Sequence, residues 1–335
     1  MSSRLQNNYS IEQKKEIARR IKNITLDAAI KDFKKLQDSK FTTTIKAGNK
    51  VVDYFTFESR LNTIAIKGNI TFYDFLYNCD EFINSAGYIK RMIEYYEQSK
   101  FASMTLESKY YDVFRLYFTS INAFPTIFAA AILDNYKPAA IIDPCAGWGN
   151  RLVAAMSRGI NYTGFDTNTD NDYKNIIETL LPYAPAGGSY SVEHRDACGV
   201  DYSQYKYDCI FTSPPYYNIE IYNGTVKQSR ADWNKWYSDL FKKVFESLTI
   251  GGIMILSINQ DMYNGVFKIL FGEADGEILM TRSRRGKYEE YIYLWRRRGA
   301  AGRTAADETT GAMKFAKTTL GMCGVGKKNT NHGTA

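Results

Sequence analysis

The sequence predicts an α/β protein: a doubly wound, mainly parallel sheet behind an N-terminal, mainly helical (α+β) module. Three observations carry this. From about residue 120, short apolar runs alternate with stretches of helical period, as parallel strands joined by crossover helices do. The first run, Ala139-Ala140-Ile141-Ile142, leads into Asp143-Pro144 and then a glycine-rich turn. Upstream, residues 10–38 and 81–118 carry helical periods and no such alternation. The expected organisation is an N-terminal module over 1–118, the sheet domain over 119–298 and a basic tail over 299–335.

Taken in order, Ile11, Lys15, Ala18 and Ile21 recur at mixed three- and four-residue spacing, with Leu26 five residues further on, and place helix over 10–38. Thr42-Thr43-Thr44-Ile45-Lys46 and Val51-Val52-Asp53-Tyr54-Phe55, separated by Ala47-Gly48-Asn49, predict a hairpin. Helix returns over 81–118. Strands are then expected at 139–143, 162–166, 190–193, 207–212 and 252–257, with two late ones at 277–280 and 291–295. One helix is well marked. Trp233, Trp236, Tyr237, Leu240, Phe241, Val244, Phe245 and Leu248 share one face over 233–248, ahead of Gly251-Gly252. That period reads both tryptophans as core.

Composition removes several classes. The 335 residues are 44% hydrophobic and 24% charged, which supports a sizeable core and excludes a wholly disordered chain. Cys79, Cys145, Cys198, Cys209 and Cys323 are scattered without a Cys-x-x-Cys pair, and there are only two histidines. This argues against a metal site or a disulfide framework and for a reducing, intracellular setting. The first 30 residues are charged and hold no signal-type apolar core. The longest apolar run, 127–133, is far shorter than the roughly 20 residues a membrane span needs. The net charge of +7 is concentrated at one end: from Arg296 onward, eight basic residues face two acidic ones. Such a tail fits a nearby polyanion, or simply a solvated, disordered extension; charge alone does not name nucleic acid.

A first constellation follows the first strand: Asp143-Pro144-Cys145-Ala146-Gly147-Trp148-Gly149-Asn150-Arg151. Glycines there let backbone approach a ligand, and the helix that follows offers free N–H groups to an anion. No Gly-Lys-Ser/Thr follows, which disfavours a nucleoside triphosphate. Asp166 ends the next strand, at the distance where an acidic residue accepts hydrogen bonds from ribose hydroxyls. Asp196, beyond the third strand, is placed to accept from the amine of an adenine.

The fourth strand ends in Thr212-Ser213-Pro214-Pro215-Tyr216. Two prolines cannot continue a ladder, so they fix a rigid turn whose carbonyls point away from the sheet. Ser213 and a proline carbonyl can accept both hydrogens of one –NH2 group, while Tyr216 stacks on a planar base. Such acceptance frees the nitrogen lone pair, and attack on an activated methyl then needs positioning more than a strong base.

At these residues the chain resembles the S-adenosylmethionine-dependent amino methyltransferases, above all those of adenine N6 and cytosine N4 in DNA. Asp143 to Gly149 is similar to their cofactor motif, with Cys145 where phenylalanine is usual. Ser213 to Tyr216 is similar to their catalytic motif. The resemblance covers about 120–295. It implies a sheet of Rossmann-like methyltransferase type with S-adenosyl-L-methionine as cofactor. Phe124, Asp143, Cys145, Ala146, Gly147, Gly149, Asp166 and Asp196 would contact that cofactor, with Asp143 near its amino group and Phe124 in a segment closing over its methionine end. Ser213, Pro214, Pro215 and Tyr216 would be catalytic. The implied partner is DNA, its target base flipped or single-stranded, with a cognate restriction endonuclease as a further candidate. Tyr217, Asn218, Lys227 and Arg230 after the catalytic turn, with Arg284 and Arg285 between the late strands, are candidate nucleic-acid contacts. Two rival readings stand: the same chemistry on RNA or a protein glutamine, and a non-catalytic nucleic-acid-binding subunit.

Overall fold

In the computed structural model, the described residues are 6–40, 46–65, 67–119, 123–168, 172–217, 228–282 and 289–299. Residues 42–45 of the expected hairpin, Asn218, Lys227, Arg284, Arg285 and the tail from residue 300 lie outside them.

The N-terminal part is helical: α1 (Ile11–Ile21), α2 (Leu26–Asp38), α3 (Asn49–Leu61), α4 (Phe72–Tyr77), α5 (Cys79–Ser85), α6 (Gly87–Gln98) and α7 (Leu106–Phe114). Two sequence expectations change here. The helix over 10–38 is broken, because Lys22 turns extended at φ −133° and Thr25 caps a new helix by accepting from the Ala28 N–H. The second arm of the expected hairpin is α3. Val51, Val52, Thr56 and Phe57 are all buried, a one- and four-residue spacing that packing rewards only in a helix. Tertiary burial overrides the β-preference of adjacent valines.

The remainder alternates strand and helix. It runs through α8 (Thr126–Tyr136), β1 (Ala140–Asp143), α9 (Asn150–Arg158), β2 (Asn161–Asp166), α10 (Tyr173–Leu180), β3 (Tyr190–His194) and β4 (Cys209–Thr212). It continues with α11 (Arg230–Ser247), β5 (Ile253–Asn259), a helical stretch over 260–271, β6 (Gly276–Arg282) and β7 (Glu289–Arg296). Every strand expected from residue 139 onward is present within a few residues.

The strands form one sheet in the order β3-β2-β1-β4-β5-β7-β6. The first five run parallel and β7 is antiparallel to β5 and β6. This is the doubly wound, mainly parallel sheet that the alternation predicts. One face packs on Phe128, Leu152, Met156 and Ile176 from α8, α9 and α10. Phe33, Leu36, Val51 and Val52 from α2 and α3 join the same cluster, so part of the N-terminal helices shares the sheet's core. The other face packs on Tyr237, Leu240, Phe241 and Val244 from α11. A third cluster, including Phe57, Phe72, Phe75, Val113 and Phe114, is internal to the N-terminal helices.

α11 starts with a capping box: Ser229 accepts from the Asp232 N–H, and Asp232 accepts from the Ser229 N–H. Its fully buried aromatics are Tyr237 and Phe241, not the tryptophans. Trp233 and Trp236 are half-buried at the rim, with Trp233 stacked on Tyr237 at 5.6 Å. The sequence period is right, and the larger rings occupy the margin of the stripe.

Candidate active site

β1 and β4 are parallel neighbours, so their carboxyl ends lie side by side on one edge. The glycine turn leaves the first and the Ser-Pro-Pro-Tyr turn leaves the second. A reversal of strand order falls here, since the chain moves outward from β1 to β3 and returns to β4 on the other side. Ligands of open α/β sheets bind at such a crevice.

The two glycines of the first turn have different tasks. Gly147 has φ +59°, and a Cβ there would find only the Cys145 carbonyl, at 3.9 Å; the space beside it is open. Gly149 has φ +80° and is buried, with Ile176 of α10 at 3.5 Å from a would-be Cβ. Gly149 therefore seats α9 against its neighbour helix, while the open space lies beside Gly147, whose N–H donates to Asp166 and whose carbonyl accepts from the Tyr173 hydroxyl.

Asp166 at the tip of β2 holds this turn. Its Oδ2 accepts from the Gly147 N–H at 2.7 Å and its Oδ1 from the Asn168 N–H at 2.8 Å. Burial pushes its pKa upward against the pull of those two N–H groups. The Ala146 N–H donates to the Phe165 carbonyl at 2.9 Å, so the whole turn is tied to β2. Asp196 is exposed and caps the next turn by accepting from the Cys198 N–H at 3.0 Å.

Asp143 is placed differently from the sequence expectation. Its carboxylate is 0% exposed and faces inward. Arg151 Nε donates to Oδ2 at 2.6 Å, the Tyr162 hydroxyl donates to the same oxygen at 2.6 Å, and the Cys145 N–H donates to Oδ1 at 3.2 Å. Arg151 also donates to the Cys145 carbonyl. Burial alone would lower the guanidinium pKa, but Asp143 raises it above its usual value. Asp143 is thus the buried anchor of the turn, with no carboxylate edge facing the crevice. Cys145 is half-buried, and burial followed by the charges of Asp166 and Asp143 holds its thiol neutral.

Phe124 lies over this anchor. Its ring is 5.7 Å from the Arg151 guanidinium and edge-on to Phe211 of β4 at 5.8 Å. Next to it, the Thr126 N–H donates to Asn49 at the start of α3, and Asn150 donates to the Thr126 hydroxyl at 2.9 Å. An N-terminal helix therefore touches the start of α9 through one residue.

On the β4 side, Ser213 and Pro215 are half-buried and Pro214 is buried. The Tyr237 hydroxyl donates to the Pro215 carbonyl at 2.5 Å and accepts from the Tyr217 N–H at 3.0 Å. Pro214 has no hydrogen bond to its carbonyl among the described residues. Of the two proline carbonyls, only that of Pro215 is hydrogen-bonded among the described residues.

Tyr216 is 7% exposed. Its hydroxyl lies 3.1 Å from the Ser257 carbonyl and 3.3 Å from Ser257 Oγ on β5, and contacts Glu290 of β7. Ser213 Oγ is 3.5 Å from the same oxygen. Burial, then the charge of Glu290, pushes the phenol well above its ordinary pKa.

Tyr217 is 8% exposed, at φ +50°, with its ring against Tyr237 and the Arg230 guanidinium 3.7 Å above it. Arg230 is exposed and paired with Asp261 at 2.8 Å. Tyr217 thus closes the turn from below rather than presenting a face to solvent, and Arg230 stacks on it. Arg151, Tyr162, Tyr237, Ser257 and Glu290 are site residues that sequence reading missed. Only Arg151 had a local signal, its place directly after the glycine turn.

Among the described residues, no helix is long and apolar enough to cross a membrane, and no group of three His, Cys, Asp or Glu side chains is placed to hold a metal ion.

The strand order and the paired turns define a Rossmann-like α/β protein with a crevice at the carboxyl edge of β1 and β4. No family model matches the chain. Over 78 residues it is 36% identical to the Type II methyltransferase M.VspI of Vibrio sp. (strain 343). That stretch is 22% of this chain and 19% of the relative, so the likeness spans about a fifth of that protein's length. Among solved structures, it is similar to TrmN from Thermus thermophilus, with 17% identity, 52% of this chain and 50% of the other covered, and a TM-score of 0.37. It is also similar to NSun6 from Pyrococcus horikoshii with SFG, at 15% identity, 53% of each chain and a TM-score of 0.36.

Proposed function

We propose that the protein is a methyltransferase that uses S-adenosyl-L-methionine to methylate an exocyclic amino group of a base in DNA, cytosine N4 or adenine N6. The observation that carries this reading is the adjacency of the two turns, one glycine-open and one proline-rigid, on neighbouring parallel strand ends. The short likeness to a Type II methyltransferase supports it.

The cofactor would lie along Gly147, with its ribose hydroxyls on Asp166 and its adenine near Asp196. Phe124 would cover its methionine end. The open side of Gly147 fits a ligand that passes close to backbone, as a Cβ would otherwise occupy the approach. When bound, the cofactor supplies a sulfonium methyl. Ser213 Oγ and the Pro214 carbonyl accept the two amine hydrogens and turn the nitrogen lone pair toward that methyl. The ring of Tyr216, its hydroxyl held by Ser257 and Glu290, supports the base. The helices over 1–118 would carry recognition, with the basic tail adding phosphate contact.

The test is to incubate the full chain with labelled S-adenosylmethionine and, separately, DNA, RNA and protein. We expect label in DNA, recovered as one N-methylated nucleoside. Label in RNA or a protein glutamine alone would redirect the substrate. Cofactor binding with no transfer to any acceptor would favour a non-catalytic subunit.

A further inference from the structure

We propose, on the reading just given, that Glu290 is the terminal proton acceptor of the reaction, reached from the target amine through Ser213 and Tyr216. Glu290 comes from β7, two strands away from β4 in the sheet and 74 residues from Tyr216 in the chain. It nonetheless contacts the Tyr216 hydroxyl and accepts from Ser257 Oγ at 3.2 Å. Ser213 Oγ completes the line at 3.5 Å from the phenol oxygen. Hydrogen bonds of this length in a ligand-free site commonly tighten when substrate binds.

The chemistry explains why such a line is needed. As the amine nitrogen takes the methyl, an N–C bond forms from the lone pair and the C–S bond breaks with its electrons left on sulfur. The nitrogen is then cationic and has one proton to lose. An aspartate heading the turn could take it; the serine of this chain cannot keep it at neutral pH. Ser213 can pass it on. The nitrogen gives its proton to Ser213 Oγ, Ser213 gives its own to the Tyr216 oxygen, and Tyr216 gives its own to Glu290. The amine product, the serine and the tyrosine end neutral, and the carboxylate ends as the acid.

The surroundings of Glu290 suit this role. Across from it stand Tyr216 on the catalytic turn, Ser257 and Asn259 on β5, and Met280 of β6 near Ser257. Among the described residues none of these is a cation that would hold the carboxylate ionised. Burial pushes Glu290 above the ordinary glutamate range, against the pull of the Tyr216 and Ser257 hydroxyls. A raised carboxylate accepts a proton more readily. The Tyr216 phenol, itself pushed far up, relays the proton without persisting as phenolate. Two arrangements are available. With Glu290 ionised, Tyr216 donates to it, and Ser213 can point its hydrogen at Tyr216 and its lone pairs at the amine. With Glu290 protonated, it donates to Tyr216, and Tyr216 donates to the Ser257 carbonyl. Glu290 acts through Tyr216 and Ser213, so it is a positioning residue rather than one that touches the base.

The experiment is single-turnover methyl transfer by the full chain, on the acceptor the wild type uses, from acid to neutral pH. Wild type, Glu290→Gln and Tyr216→Phe are compared, with calorimetric binding of S-adenosylhomocysteine as a second readout. Wild-type turnover should fall on the acid side as Glu290 protonates. Each variant should bind S-adenosylhomocysteine within about twofold of wild type. Each should also lose on the order of 100-fold in rate, the usual scale for a proton-transfer group, together with the acid limb. Both rate and acid limb surviving in either variant would overturn the relay. A wild type that transfers to no acceptor would instead overturn the methyltransferase reading, so the two failures are distinct.

Discussion

Arg151 Nε donates to Asp143 Oδ2 at 2.6 Å, in a place where the arginine side chain is 5% exposed and the aspartate 0%. Removing one partner of such a pair strands the other charge without water. Arg151→Met should therefore destabilise the fold by about 3–5 kcal/mol, measured by chemical denaturation. Arg151→Lys should recover little of it, since an ammonium cannot reach Asp143 and the Cys145 carbonyl with a planar fork. A Met variant as stable as wild type would mean the pair is not what secures the turn.

Tyr237 joins α11 to the Ser-Pro-Pro-Tyr turn through a single oxygen, which donates to the Pro215 carbonyl and accepts from the Tyr217 N–H. Tyr237→Phe keeps the ring in the core and leaves both backbone groups unpaired. The expected cost is about 1–3 kcal/mol. Methyl transfer should fall more than cofactor affinity, because the loss lies on the β4 side of the crevice. Equal losses in kcat and in cofactor binding would show that the two turns are not mechanically separate.

What the sequence reveals is what repeats along it or stands together in it. The strands, the glycine turn and the Ser-Pro-Pro-Tyr turn are each contiguous, so they are legible. Tyr162 reads only as an apolar strand residue, because nothing nearby shows that its hydroxyl meets Asp143 on the neighbouring strand. Glu290 sits in Glu289-Glu290-Tyr291, which looks like the polar start of an edge strand. Its partner, Tyr216, is brought to it only by the placement of β7 beside β5. The expected hairpin was lost to the same kind of cause. Val51-Val52 prefers strand locally, and the sheet face that buries it lies about 100 residues further on.

Gly48 stands at φ +82° before α3, and a Cβ there would lie 2.7 Å from Thr126 Cγ2 and 2.8 Å from Leu36 Cδ2. Thr126 is the residue that accepts from Asn150 at the start of α9. Gly48→Ala should destabilise by more than about 1 kcal/mol, because both the backbone region and the space refuse the methyl. It should also weaken cofactor binding, unlike a substitution of equal cost inside the Phe72–Phe75–Phe114 cluster. Thermal melts matched with binding isotherms for the two variants check this.

The stability of the protein should carry its own signature of Glu290. Its native pKa is raised above the ordinary value of 4.5, chiefly by burial, so the fold favours the protonated form. The stabilising contribution of that proton is complete below the ordinary value and is lost as pH rises through the higher native one. Glu290→Gln removes the ionisation while keeping the shape and a hydrogen-bonding end. Its melting temperature should therefore match wild type in acid and exceed it at neutral pH. The same substitution is expected to slow turnover, and the opposed signs are the informative part. A glutamate kept for structure alone would lose stability and rate together. One kept for proton acceptance costs stability at the pH where it works, as strained or buried functional groups do. Equal melting curves for the two proteins at neutral pH would remove that argument for Glu290.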